Sequence, residues 1–331
     1  PFAVVLLAAL SGAGFLAETR AAERPRMDVT GALLFVAALG ALVLGAVQGP
    51  QWGWTGPAVL GLLGGGVVLL AVFTRTQARG KAPLLDLSLV RDRRFFALCL
   101  VPVVTTFGFV TLLTYLPTYL VGAGGMSAAR AGTVMLLLTG PVLAAPPLAG
   151  ALVTRGVPPR ALITLSLLLF AAGDGWLTVI EPGSSTWVIA PPLLLAGLGA
   201  GVSFGVNDGL AMSLVAPDRA GMAAGFLNTM RLGSEAIVIA VFGAVLVSLV
   251  GTRVPSHALA ARVAAGEVGG GDRVQLAAAF THALHLALWG LAAVSAVGAV
   301  VVHSALARPR RDAAVAAPAV SEPAAVPAES C

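Results

Sequence analysis

This sequence has little charge: Asp, Glu, Lys and Arg make up 11% of 331 residues, against 58% hydrophobic. No soluble domain of ordinary composition is so poor in charge. Cysteine is nearly absent, and the two present, Cys99 inside an apolar run and Cys331 at the C-terminus, offer neither a disulfide framework nor metal-ligand spacing. The net charge of +5 is small, and no basic stripe interleaves with aromatics, so no nucleic-acid partner is expected. Strands of about ten alternating residues, the mark of a membrane-spanning barrel, are missing too.

Long continuous apolar runs are present instead, with a mean hydropathy of +0.93. Crossing about 30 Å of hydrocarbon takes roughly 20 helical residues. Runs suited to this lie at residues 2–17, 28–47, 57–74, 95–120, 131–153, 161–180, 187–207, 222–250 and 280–303. The fold class predicted is an all-α polytopic membrane protein of about nine transmembrane helices. The first run is the shortest and has neither the basic leader nor the cleavage site of a signal peptide. It reads as the end of a longer helix, and the chain as the carboxy-terminal part of a larger protein.

If residues 18–27 are cytoplasmic and the helices alternate, fifteen of the twenty Lys and Arg residues fall inside and four outside, with Arg231 left in the membrane. That is the positive-inside pattern, which predicts a plasma-membrane, multi-pass chain with a cytoplasmic C-terminus. Trp52, Trp54, Tyr119, Trp176 and Trp187 fall at the predicted outer ends, where amphipathic aromatics anchor helices, and Asp174 is expected at the same interface. The basic link at 75–94 carries PLLDLSLV, suited to a short helix on the inner surface. The loop 251–279 is predicted to hold a surface helix near HALAARVAAG, and the Ala/Pro/Glu tail, within 304–331, to be disordered.

Catalytic motifs fail on context. GVSFG around Ser203 has the G-x-S-x-G spacing but no preceding strand to build a nucleophile elbow. Gly80-Lys81-Ala82 lacks the upstream Gly and the Ser/Thr of a phosphate loop. His282 and His285 have no third ligand. The chain is therefore expected not to be an enzyme and to need no metal or cofactor. Gly197, Gly201, Gly205 and Gly209 recur every fourth residue and are read as a smooth helix-packing face.

Ionisable groups in a membrane segment face protein or water and find partners. Arg231 and Glu235 stand four apart, on one face and within mutual reach, as a fixed ion pair or as groups that line a path and change partners. If their helix enters at Gly221, Arg231 lies about 15 Å inward; if it enters near Thr229, Arg231 snorkels to the surface. Asp208, Asn207 and Asn228 are further candidates for proton coupling or for lining a cavity.

Three stretches, DVTGALLFVAALGALVLGAVQGPQWGW (28–54), PLLDLSLVRDRRFF (83–96) and GMAAGFLNTMRLGSEA (221–236), resemble the major facilitator superfamily, within it the fourteen-helix drug:proton antiporters. GALVTRGVPPR (150–160) is similar to the second-half copy of the family's cytoplasmic G-x-L-x-D-R-x-G loop. It keeps Gly150, Leu152 and Arg155 but has Thr154 where an acid is expected. The resemblance implies that residues 1–17 end helix six, that 18–94 hold the cytoplasmic link and two extra central helices, and that 95–303 form the second six-helix half. It implies alternating access, export of a small amphipathic substrate against protons, and a gating role for Gly150, Arg155 and Arg160. The missing N-terminal half would be the partner. The alternatives are export of an endogenous metabolite or siderophore, a membrane-embedded enzyme, or a fragment inactive by itself.

Overall fold

The computed structural model describes residues 28–79, 92–216, 219–269 and 272–307, and all regular structure among these is helical. The run at 2–17, the surface-helix stretch PLLDLSLV and the C-terminal tail lie outside the described residues. The helices are α1 (Val29–Trp52), α2 (Pro57–Arg79), α3 (Arg93–Gly122), α4 (Ala128–Thr154), α5 (Pro159–Trp176, continued by a 3-10 turn Leu177–Val179), α6 (Thr186–Ser213), α7 (Ala220–Gly251), α8 (His257–Ala264) and α9 (Arg273–Ala307). All but α8 are long and apolar enough to cross a membrane.

Local chemistry sets the helix starts. Asp28, Asp92, Ser127 and Ser256 each accept a backbone N–H from the first turn of α1, α3, α4 and α8, which satisfies donors that a helix end leaves open. Proline at the first position of α5 uses a site where no N–H is needed. Between α4 and α5 the chain turns through Gly156 at φ +93°, a conformation that side chains with a Cβ resist.

Helices α3 to α9 form an antiparallel bundle with two apolar layers. One joins Leu116, Leu138, Ile189, Leu246 and Phe280 near the α8 end. The other joins Phe95, Ala149, Ile163, Ala223 and Val302 at the end that carries Arg155. Helix α8 docks by Ala260, Val263 and Ala264, so only one of its faces is at the surface. Helices α1 and α2 pack on each other, with Phe35 against Phe73 at 4.9 Å between ring centroids, and α1 touches the bundle along α7.

The seam between α4 and α6 fits proline against glycine. A Cβ on Gly197 would run into the carbonyl oxygen of Leu138, one on Gly201 would come 2.6 Å from Ala145 Cβ, and one on Gly205 would come 2.7 Å from Pro146 Cα. These three glycines let two backbones approach to a distance that a side chain would prevent. Gly209, assigned to the same face in the sequence, meets nothing within 4 Å and takes no part in the seam.

Two predicted interfacial residues are buried instead. Tyr119 is fully buried and its hydroxyl lies 2.9 Å from Thr281 Oγ1. Thr281 itself donates to the Ala277 carbonyl, so Tyr119 is the donor between them. Asp174 has no exposed surface, although Trp176 is 50% exposed. Residues two apart on a helix point in nearly opposite directions, so an exposed tryptophan says little about the carboxylate before its neighbour.

Candidate functional site

Arg231 takes its partner from another helix. Its Nη2 donates to Asp208 Oδ1 at 2.8 Å and to Oδ2 at 3.1 Å, tying α7 to α6. Glu235, the expected partner, makes no hydrogen bond or ion pair among the described residues. Side chains on a helix lean toward its N-terminus. Arg231 therefore reaches back along α7 to the closing turns of α6, where a carboxylate is waiting, rather than forward to Glu235.

Helix α6 presents two groups to this guanidinium. Asp208 supplies the carboxylate, and Phe204, one turn earlier, lies with its ring centroid 5.4 Å from Arg231 Cζ. Such a position over an aromatic face attracts a cation. Phe204 is held edge-on by Phe109 of α3 at 6.1 Å. Helix α7 starts at Ala220, so Arg231 lies about 16 Å along it at 1.5 Å per residue. The guanidinium does not run to the helix end.

A polar seam continues from this pair between α3, α6 and α7. Thr105 and Ser203 hydroxyls are buried 3.0 Å apart. Ser234 donates to the Arg231 carbonyl at 2.9 Å and lies 3.4 Å from Thr106 Oγ1. Further along, Tyr115 donates to the Ile239 carbonyl at 2.7 Å. Ser203 is thus a buried hydroxyl inside a helix, bonded to Thr105, with no geometry for nucleophilic attack.

The ion pair is not sealed. Arg231 keeps 27% of its side-chain surface and Asp208 47%. Arg231 Nε and Asn207 Oδ1 are nevertheless buried without a hydrogen-bond partner among the described residues, while Asn207 Nδ2 lies 3.4 Å from Asp208 Oδ1. Glu235 is half-buried one turn beyond, and Asn228 is exposed on the same helix. Two carboxylates, a guanidinium and two amides therefore share one region, with unused donor and acceptor capacity. Such a surface can recognise a polar or cationic group, or exchange a proton. It has no activated nucleophile.

The remaining candidates stand apart from this region. Gly150, Arg155 and Arg160 are exposed at the α4–α5 turn, and a Cβ on Gly150 would meet nothing within 4 Å. His285 Nε2 lies 2.7 Å from the Ile180 carbonyl; a carbonyl only accepts, so that nitrogen bears the hydrogen and has no lone pair for a metal.

Comparison with known proteins follows the same direction. The profile of the Major Facilitator Superfamily matches residues 71–239. The chain is 31% identical to the Tetracenomycin C resistance and export protein of Streptomyces glaucescens, over 76% of this chain and 47% of that protein. It is 33% identical to the Multidrug resistance protein Stp of Mycobacterium tuberculosis, over 70% of this chain and 43% of the relative. To the Probable actinorhodin transporter of Streptomyces coelicolor it is 30% identical, over 72% and 42% respectively. The chain thus spans less than half the length of each of these relatives.

Proposed function

The chain belongs to the major facilitator superfamily, and on that premise we propose that it is the second-half portion of a fourteen-helix drug exporter. The cargo class is small amphipathic drugs or antibiotics, moved outward across the plasma membrane in exchange for protons. The mechanism is alternating access, in which two halves rock about a site between them. The other half corresponds to the part of the relatives that this chain does not span. The C-terminus is then cytoplasmic, a reading supported by the distribution of basic residues.

The observation that carries this reading is the Arg231–Asp208 pair, clamped between α6 and α7 yet half-open, with Glu235, unpaired among the described residues, one turn away. Enclosing an ion pair repays its desolvation only when every hydrogen bond is satisfied. A pair left open with spare donors is suited to groups that arrive and leave. In this role Asp208 and Glu235 attract a cationic cargo or a proton, and Arg231 holds whichever carboxylate is vacant. Asn207 and Asn228 add neutral hydrogen bonding, Phe204 an aromatic wall. Gly150, Arg155 and Arg160, exposed about the α4–α5 turn, are assigned the role of a cytoplasmic gate in this reading.

The test is export by the full transporter in vesicles under an imposed pH gradient. Transport that accelerates with the gradient and is slowed when Glu235→Gln or Asp208→Asn is introduced supports the reading. Transport indifferent to the gradient overturns proton exchange. A second reading, export of a metabolite made by the same cell, is favoured by the actinorhodin relative, whose name speaks of transport and not of resistance. Competition among a panel of drugs and cellular metabolites or siderophores separates the two.

A further inference from the structure

A groove of about 400 Å³ runs along the outside of the bundle between α3 and α9, and every side chain that lines it is apolar. Val294, Val297 and Val301 of α9, all exposed, form one wall, and Leu100 of α3 stands on the other. Gly298 lets the helices close at its base, where a Cβ would come 2.7 Å from Val104 Cγ2. Helix α1 meets the bundle along α7, and Val297 keeps 62% of its surface. Among the described residues nothing covers the groove.

Its length matches one leaflet. Along α9 it extends from Ala293 to Val302, about 14 Å at 1.5 Å per residue, and a leaflet supplies about half of a 30 Å hydrocarbon core. Val302 belongs to the apolar layer at the end that carries Arg155, so the groove opens toward the membrane surface on that side. It has room for one extended acyl chain of that leaflet.

A cation stands at its mouth. Positions 93, 97, 100 and 104 follow one face of α3, which puts Arg93, the first residue of the helix, about 10 Å before Leu100 on the stripe that leads into the groove. Arg93 is exposed and makes no hydrogen bond or ion pair among the described residues. Its acidic neighbour is engaged elsewhere, since Asp92 accepts the Arg94 N–H. On α9, His303 turns to Thr164 of α5. The free charge at this end of the groove is therefore positive.

Apolar fit alone selects no lipid, because acyl chains are as apolar as the side chains they touch. The groove fixes where a chain lies, and the charge at its mouth fixes which head group sits above it. We propose that the α3–α9 groove binds one anionic phospholipid, with an acyl chain between Leu100 and Val297 and the phosphate at Arg93. A guanidinium fork matches two phosphate oxygens, and a basic residue at the membrane surface favours an anionic lipid by roughly fivefold. A zwitterionic head group brings its own ammonium beside Arg93 and loses part of that attraction. The site takes its ligand from the membrane itself, so it stands whether or not the chain exports drugs.

Native mass spectrometry of the full protein, stripped of lipid and titrated with phosphatidylglycerol or phosphatidylcholine, tests this. The first phosphatidylglycerol should bind roughly fivefold more tightly than the first phosphatidylcholine. Arg93→Gln should abolish that preference and Arg93→Lys should keep most of it, while Arg130→Gln, at the start of α4 and the opposite end of the bundle, should leave it unchanged. Val297→Phe narrows the groove from an exposed position and should weaken binding of both lipids. Arg93 and Val297 are both at the surface, so neither variant requires the core to repack. A preference that survives Arg93→Gln, or falls as far in Arg130→Gln, overturns the site, as does lipid binding untouched by Val297→Phe. A dimer that excludes lipid and is lost in Val297→Phe would overturn it too, by giving the groove to a second copy of the chain.

Discussion

Arg231 Nη2 holds both carboxylate oxygens of Asp208, at 2.8 and 3.1 Å, across the seam between α7 and α6. The two residues are 23 apart in sequence, and their meeting fixes how the fourth turn of one helix sits against the last turns of the other. The pair adds an electrostatic tie at a place where the two backbones are joined by few other groups. Its half-open setting decides what the tie is worth.

Exposed ion pairs contribute about 0.2–1 kcal/mol, and this one keeps 27% and 47% of its side-chain surface. Arg231→Ala should therefore lower the unfolding free energy by less than about 1 kcal/mol. Export should fall far more, by about tenfold or beyond, equivalent to about 1.4 kcal/mol. Thermal unfolding in detergent and vesicle transport, measured on one preparation, compare the two. A large stability loss with proportionate loss of export would make the pair structural.

The glycines of α6 give an opposite-sign pair of predictions. Gly197→Ala places a Cβ against the Leu138 carbonyl, on backbone that cannot rotate aside. The overpacking cost, about 1–3 kcal/mol, exceeds the gain in helix propensity, up to about 1 kcal/mol. Gly209→Ala has only the gain, since it meets nothing within 4 Å. Melting temperature should fall for the first and hold or rise for the second.

The eight spans that fall among the described residues, and the glycine face of α6 at three of its four positions, were legible because length and period are properties of one segment. Asp208 as the partner of Arg231 was not. Glu235 stands at the spacing that favours pairing on one helix, whereas the register of α6 against α7 depends on the turn between them and on packing with α3. Asp174 was misplaced for a related reason. Trp176 is on the bundle's surface, with half its area exposed, but the helix turns the neighbouring carboxylate into the bundle. Which face a residue takes within a uniformly apolar helix is decided by its neighbours, and here no polar stripe announces it.

Asp28, at the mouth of α1, provides a pH test outside the membrane-spanning segments. The Gly31 N–H at 2.8 Å and then the Gln77 side-chain amide at 2.7 Å hold its carboxyl below the usual carboxylate range. A depressed folded value means the contribution is present above the unfolded value, about 4, and is lost as pH falls through the folded one. Melting temperature should therefore decline on acidification below about pH 4 and decline less in Asp28→Asn. Equal slopes for both proteins would show that this cap does not respond to charge.

Glu235 decides whether Arg231 has a second partner. The two are four apart on α7, close enough for side chains to meet, yet Arg231 is bound to Asp208. Asp208→Asn removes that carboxylate charge and leaves Glu235 as the nearest acid on the same helix. If the guanidinium then turns to it, Glu235→Gln should do little in the native background and considerably more beside Asp208→Asn. A double-mutant cycle on unfolding free energy should show a coupling of about 0.5–1 kcal/mol between Asp208 and Glu235, bounded by what the half-open pair itself is worth, although the two carboxylates share no bond. Additivity to within about 0.3–0.5 kcal/mol would mean that Arg231 has one partner only, and the change of partners would drop out of the mechanism.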